Sequence, residues 1–176
     1  AHFLPAAETA LRNIVLDLSA SASEQREPAP EPPAAENFRI TDEHLGEGSA
    51  KAKFSANIEA ISVLKMVESE HRPASPQEQE VLSRYVGWGG LPPAFDERSE
   101  AWHSEYSALK SLLTQEEYEA ARASTLNAHY TSPTVIRAIY AAVEQLGFRS
   151  GNVLEPSCGV GNFFGMLPDS MKESRL

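Results

Sequence analysis

Apolar side chains recur at helical spacing over most of the chain, with polar punctuation between the runs. Leu11, Ile14, Val15 and Leu18 predict a helix over 3–18. Ile58, Ile61, Leu64 and Val67 (or Val63) make one stripe, predicting a helix over 57–70 with Asn57 as its N-cap. Ser75, Pro76 and Glu78 then spell a helix start: cap, first-turn proline and capping-box partner. Val81, Leu82, Tyr85 and Val86 would be the buried face of that helix, and Gly87 its stop. Trp102, Tyr106, Leu109 and Leu113 predict a helix over 99–113, and Thr114 with Glu117 a second capping box opening a helix to about Arg122. Ser132 and Pro133 open a helix over 133–146 with Val135, Ile136, Ile139, Val143 and Leu146 apolar, closed by Gly147 in the left-handed position.

Elsewhere the period shortens or vanishes. Residues 19–36 are rich in Ser, Ala, Glu and Pro, and four prolines there forbid regular structure, predicting a flexible linker. Phe38 and Ile40 alternate with polar neighbours, as in a short extended piece. Asn152, Val153 and Leu154 form a strand candidate, followed by the glycine turn PSCGVG and a helix start at Asn162–Leu167. Trp88, set between glycines, either packs its loop onto the core, the commoner arrangement, or offers a stacking face to a base. The tail from Pro168 is expected to fray.

Composition narrows the chemistry. The 176 residues suit one domain or a small domain with appendages, and the first residue is Ala, which suggests a piece of something longer. No apolar run approaches the roughly 18 residues of a membrane span, and the N-terminus has no basic, continuously apolar leader, so a cytoplasmic protein is expected. The single cysteine, Cys158, forbids an internal disulfide and has no base beside it in sequence that would make it a nucleophile. The five histidines never pair at ligand spacing, so no metal site is expected. The net charge of -10 lies entirely in residues 1–127, which hold 11 basic and 21 acidic side chains; 128–176 hold four of each. Duplex-binding surfaces are basic, so any DNA contacts of a larger parent should lie mainly elsewhere.

Two segments invite a nucleotide reading. GEGSAKAKF (46–54) lacks the Gly-Lys-Ser/Thr of a phosphate loop and reads as a plain turn. In 152–167, strand, glycine turn and helix follow one another, and Gly159 and Gly161 allow a sharp bend and close ligand approach. Gly159-x-Gly161-x-x-x-Gly165 loosely mimics a dinucleotide fingerprint, but Glu155 at the lip of the turn would repel a pyrophosphate. It would attract a sulfonium and ammonium: opposite charges 4 Å apart at an effective dielectric of about 20 gain on the order of 4 kcal/mol before desolvation.

LEPSCGVGNFF (154–164) resembles the cofactor-binding motif Asp/Glu-Pro-x-x-Gly-x-Gly of the amino-methylating DNA methyltransferases. HYTSP (129–133) resembles the aromatic-Thr-x-Pro motif that precedes it in their adenine-N6 group. The stretch from YVGWGGLPPAFD (85–96) to TLNAHYTSP (125–133) is similar to large methylases of phages, plasmids and conjugative elements, many fused to a helicase region. The resemblance covers roughly 37–176.

The resemblance implies S-adenosylmethionine as cofactor, DNA as the partner of a longer parent, and a fused helicase region. The chain is expected to be mainly α: an N-terminal helix and linker (1–36), a helical region (37–127), and, as the resemblance implies, the start of a Rossmann-like α/β methyltransferase domain (128–176), truncated after its first strand and Gly-rich loop. By resemblance Glu155 faces the methionine amine, while Pro156, Ser157, Gly159 and Gly161 shape the loop beneath the cofactor. Tyr130, Thr131 and Pro133 line the methionine end, and Asn162 and Phe163 begin the following helix beside the ligand. No catalytic residue is assigned, since the family's Asn/Asp-Pro-Pro-aromatic motif has no counterpart here: Pro32-Pro33 and Pro92-Pro93 have the wrong neighbours. The chain alone is therefore expected to be inert and to bind cofactor weakly. Two other readings remain: a methyltransferase of another substrate, such as a protein glutamine, and a non-enzymatic acidic helical module that docks a larger DNA-processing protein.

Overall fold

A computed structural model describes residues 38–128 and 130–176. The helix expected over 3–18, the linker at 19–36 and His129 lie outside the described residues. The described part is mainly helical: α1 (Ala50–Ser69), α2 (Pro76–Ser83), α3 (His103–Leu112), α4 (Gln115–Ser124), α5 (Pro133–Gln145) and the single turn α6 (Asn162–Gly165). Short 3-10 turns occur at Pro92–Phe95, Glu100–Trp102 and Asp169–Met171.

Both expected capping boxes form. Ser75 and Thr114 each accept from the backbone of a glutamate three residues on, Glu78 and Glu117, and each glutamate accepts from the cap residue's own N–H at 2.7 Å. Arg72 adds charge-assisted hydrogen bonds to Glu78 at 2.6 and 2.7 Å. That guanidinium, with the Ser75 backbone N–H, holds the Glu78 carboxyl down at about 2.

The start of α1 departs from expectation. It begins at Ala50, with Ser49 as the cap accepting from Ala52 N–H at 3.2 Å. GEGSAKAKF is thus a turn that runs into a helix, with Gly46 and Gly48 at positive φ. Asn57 lies mid-helix and fully buried. The end of α2 also moves, from Gly87 back to Ser83, because the Val86 N–H donates to Asn57 Oδ1 at 2.9 Å instead of continuing the helical ladder. The helix expected over 99–113 opens with the 3-10 turn at Glu100–Trp102.

Two apolar clusters form. The first gathers Phe54, Trp88, Leu91, Ala94, Phe95, Leu109 and Tyr118, with Ile58, Ile61, Trp102 and Tyr106 packed around them. Its aromatic rings meet edge to face, Trp88 against Phe95 at 5.4 Å and 90°, a favoured geometry. Two lysines of α1 tie the helices over it. Lys51 pairs with Glu105 at 2.6 Å and covers the Trp102 ring, and Lys65 pairs with Glu117 at 2.7 Å. The second cluster gathers Ile136, Tyr140, Met166, Leu167 and Met171, with Ile40, Val143, Phe148 and Phe163 against them. The extended 38–40 segment reaches it through Ile40, whose N–H donates to the Gly165 carbonyl at 2.8 Å and whose side chain occupies the space a Cβ on Gly165 would need.

Three expectations for the C-terminal part need correction. Among the described residues Asn152–Leu154 forms no strand; Asn152 and Arg175 make one isolated parallel bridge. A strand exists only through its ladder, and a single bridge is the whole of its pairing here. The tail does not fray: it supplies that bridge, and Met171 is 1% exposed within the second cluster. The helix expected from Asn162 to Leu167 is one turn ending at Gly165. Finally, α5 buries Ile136, Tyr140 and Val143 but leaves Val135, Ile139 and, just past its end, Leu146 exposed.

Candidate functional site

Tyr130 sits where three separate segments meet. A Cβ on Gly87 would fall 2.4 Å from its ring, and one on Gly159 would fall 2.7 Å from the ring's other edge. Real Cβ contacts are not that short, so both positions need glycine for space. They need it for backbone as well, with φ of 74° and 53°. Tyr130 also meets Tyr85 at 6.3 Å between ring centres, and Tyr85 meets Trp88 at 6.3 Å, which joins it to the first apolar cluster. Burial raises the Tyr130 hydroxyl above its ordinary range and pushes Tyr85 up to about 12, so both are neutral phenols at physiological pH.

The 86–87 loop is held from beneath by Asn57. Its Nδ2 donates to the Gly87 carbonyl at 2.6 Å, while its Oδ1 accepts from Val86 N–H at 2.9 Å. One buried amide thereby satisfies two backbone groups, the Gly87 carbonyl in the interior and the half-buried Val86 N–H, and fixes the wall that Tyr130 rests on.

Beside Tyr130 lies a cavity of about 170 Å³. Leu45, Gly46 and Lys53 line one side, and Val86, Gly87 and Gly89 another. Ala128, Tyr130, Thr131, Ser132, Pro133 and Asn162 complete it. Four of the residues expected at a cofactor site, Tyr130, Thr131, Pro133 and Asn162, therefore share one cavity, with Gly159 behind the Tyr130 ring. Glu155, Pro156, Ser157 and Gly161 are not part of that wall. Glu155 is half-buried in the irregular 152–161 loop, outside any helix, and its Oε1 accepts from Ser157 N–H at 3.1 Å. It stands near Tyr140, whose hydroxyl is raised chiefly by burial and further by the Glu155 charge. Gly161 has φ of 80° and lines a second, shallower cleft with Ile40, Leu82 and Phe164. Phe163 packs on Tyr140 at 6.1 Å, and its carbonyl accepts from the Tyr140 hydroxyl at 2.7 Å.

Trp88 is 2% exposed and spends its faces on Phe54, Tyr85 and Phe95, so it presents none to a base. Cys158 is exposed and free. Among the described residues no group of three His, Cys, Asp or Glu could hold a metal, and no helix is long and apolar enough to cross a membrane.

Sequence reasoning missed Asn57, the 86–89 loop and Lys53 as parts of this site. Asn57 and the loop left no signal, since their partners are about 30 residues apart. Lys53 left a faint one: no acidic residue stands three or four positions to either side of it, so α1 offers it no partner along the helix. Comparison with family models, with curated proteins and with solved structures yields no match.

Proposed function

We propose that this chain is the helical entry and first cofactor-binding segment of an S-adenosylmethionine-dependent DNA methyltransferase acting on adenine N6. DNA and a helicase region would be engaged by a longer parent. The observation that carries the reading is the contact of Gly159 with the ring of Tyr130, which with Thr131 and Pro133 lines one cavity. Two short motifs far apart in the chain are thus neighbours in space, as a shared cofactor would require. The cavity is smaller than the roughly 300–1,000 Å³ of a whole-ligand pocket, so it suits one end of the cofactor.

The surface around α5 supports the same reading. Val135 and Ile139 lie four residues apart, and so on one face of the helix, beside the stripe packed by Ile136, Tyr140 and Val143. The apolar band of the helix is thus wider than the part the second cluster covers, which leaves room for a further layer on that side. Leu154, 86% exposed beside the lone bridge, fits the same missing layer: the Rossmann-like sheet in which Val153–Glu155 would be the first strand.

Titration of the chain with S-adenosylhomocysteine, followed by amide NMR, tests this. The expected result is weak binding, about 1 mM or weaker because most of the ligand stays in water, with shifts centred on Tyr130, Thr131 and Gly159. Absence of shifts at these residues at saturating ligand overturns the reading. So does tight binding centred elsewhere.

A further inference from the structure

The cavity beside Tyr130 holds a charge that the rest of the protein leaves alone. Lys53 is half-buried and lines the cavity, yet it makes no ion pair or hydrogen bond among the described residues. Its neighbours on α1, Lys51 and Lys65, both find glutamates. In an acidic protein, a lysine kept at a cavity wall without a partner marks a place where negative charge is to come from outside.

Two independent features point at the same spot. Asn162 is 9% exposed, lines the cavity, and makes no side-chain hydrogen bond among the described residues. Its amide atoms are not sealed from solvent, so a residue that is otherwise buried keeps a donor and an acceptor open to a ligand. The 13-residue helix α5 begins in the cavity wall; its cap residue Ser132 makes no side-chain capping bond, Pro133 has no N–H, and Val135 and Ile136 donate to the Ser132 carbonyl, so the helix offers the cavity the positive end of its dipole more than free donors. Thr131 and Ser132 add hydroxyls. Lysine, free amide and helix start together describe a receptor for a carboxylate. At about 170 Å³ the space matches a moiety of roughly six to nine heavy atoms, the size of an amino-acid end, since a 150 Å³ cavity holds about one benzene.

We propose that Lys53 is the counter-ion for the carboxylate of the methyl donor's amino-acid end, so that α1, upstream of both motifs, takes part in cofactor recognition. The assignment rests on the methyltransferase reading. It makes Lys53 a ligand-binding residue that discriminates between molecules with and without an amino-acid end.

The experiment compares S-adenosylhomocysteine with 5′-methylthioadenosine, which lacks the amino-acid end, on the wild-type chain and on Lys53→Gln and Lys53→Arg, by amide NMR. Wild type should bind S-adenosylhomocysteine about tenfold more tightly, the scale of one hydrogen-bonded charge. Lys53→Gln should lose most of that advantage and leave methylthioadenosine unchanged, and Lys53→Arg should keep it. If wild type binds the two equally, Lys53 is not the counter-ion, whatever the variants do. If Lys53→Gln binds S-adenosylhomocysteine as wild type does, this assignment falls while the methyltransferase reading stands. If neither nucleoside shifts Tyr130 or Thr131, both fall.

Discussion

Asn57 donates from Nδ2 to the Gly87 carbonyl at 2.6 Å across 30 residues of sequence, and so joins the middle of α1 to the loop that supports Tyr130. With its Oδ1 bonded to Val86 N–H, the side chain has no exposed surface left. Asn57→Ala would strip partners from two backbone groups. The expected loss is about 2–4 kcal/mol in chemical denaturation. Asn57→Asp should also destabilise, because a carboxylate cannot donate to the Gly87 carbonyl. Wild-type stability in either variant would show that water replaces the amide.

Gly159→Ala should cost about 1–3 kcal/mol, from positive φ and from the clash with the Tyr130 ring. The two causes separate in a double-mutant cycle. Tyr130→Ala removes the ring, so the added cost of Gly159→Ala in that background should shrink to its backbone part. Strict additivity of the two changes would mean that the ring and the loop do not touch in solution.

Trp88→Ala should be the most damaging single truncation in the first cluster, about 3–5 kcal/mol, because the indole contacts Phe54, Tyr85 and Phe95 at once. The fluorescence of buried Trp88 offers a direct check. Its emission should be blue-shifted in the native chain and move to the red on unfolding, most clearly in a Trp102→Phe background. An emission maximum typical of exposed indole would contradict the packing.

The acid limb of stability should carry the mark of Glu78. Its folded carboxyl titrates at about 2 against the usual 4.5. A depressed carboxylate contributes stability that is fully present above 4.5 and is lost as pH falls from there toward 2. Glu105 and Glu117 are lowered too, chiefly by Lys51 and Lys65, and act in the same direction. Glu78→Gln should flatten the stability–pH curve over that interval and leave its slope near neutrality unchanged. Glu117 is exposed and Glu78 and Glu105 are half-buried, with the cations that pair with all three partly in solvent, so salt should weaken the effect. A curve for Glu78→Gln that matches wild type below pH 4.5 would show the Arg72 contact to be energetically silent.

Which features were legible in the sequence follows from the reach of the interactions that make them. The capping boxes at Ser75/Glu78 and Thr114/Glu117 close within three residues, so their whole chemistry is written in adjacent letters. The left-handed Gly147 after α5 is of the same kind. Asparagine before an apolar run resembles a cap, but the partners of Asn57 lie at 86 and 87, and Ser49 already closes the helix start. The strand at Asn152–Leu154 has the right side chains, but a ladder depends on a neighbour, and only Arg175 pairs there. Nothing in the tail's own letters reveals that Met171 joins the cluster of Ile136 and Met166. Of the candidate site, the local motifs at 130–133 and 159–161 were visible. Their meeting at Tyr130, and the supply of Lys53 from α1, are properties of the folded chain.

The uncovered stripe of α5 also bears on how the protein behaves in a tube. Val135 and Ile139, with Leu146 and Leu154 nearby in sequence, are greasy surface on the segment 128–176, whose charges cancel, so electrostatic repulsion does little to keep that part of two molecules apart. The molecule should be well dispersed when dilute and stick through this stripe when concentrated, with Val135→Lys or Ile139→Glu restoring solubility at no cost to the fold.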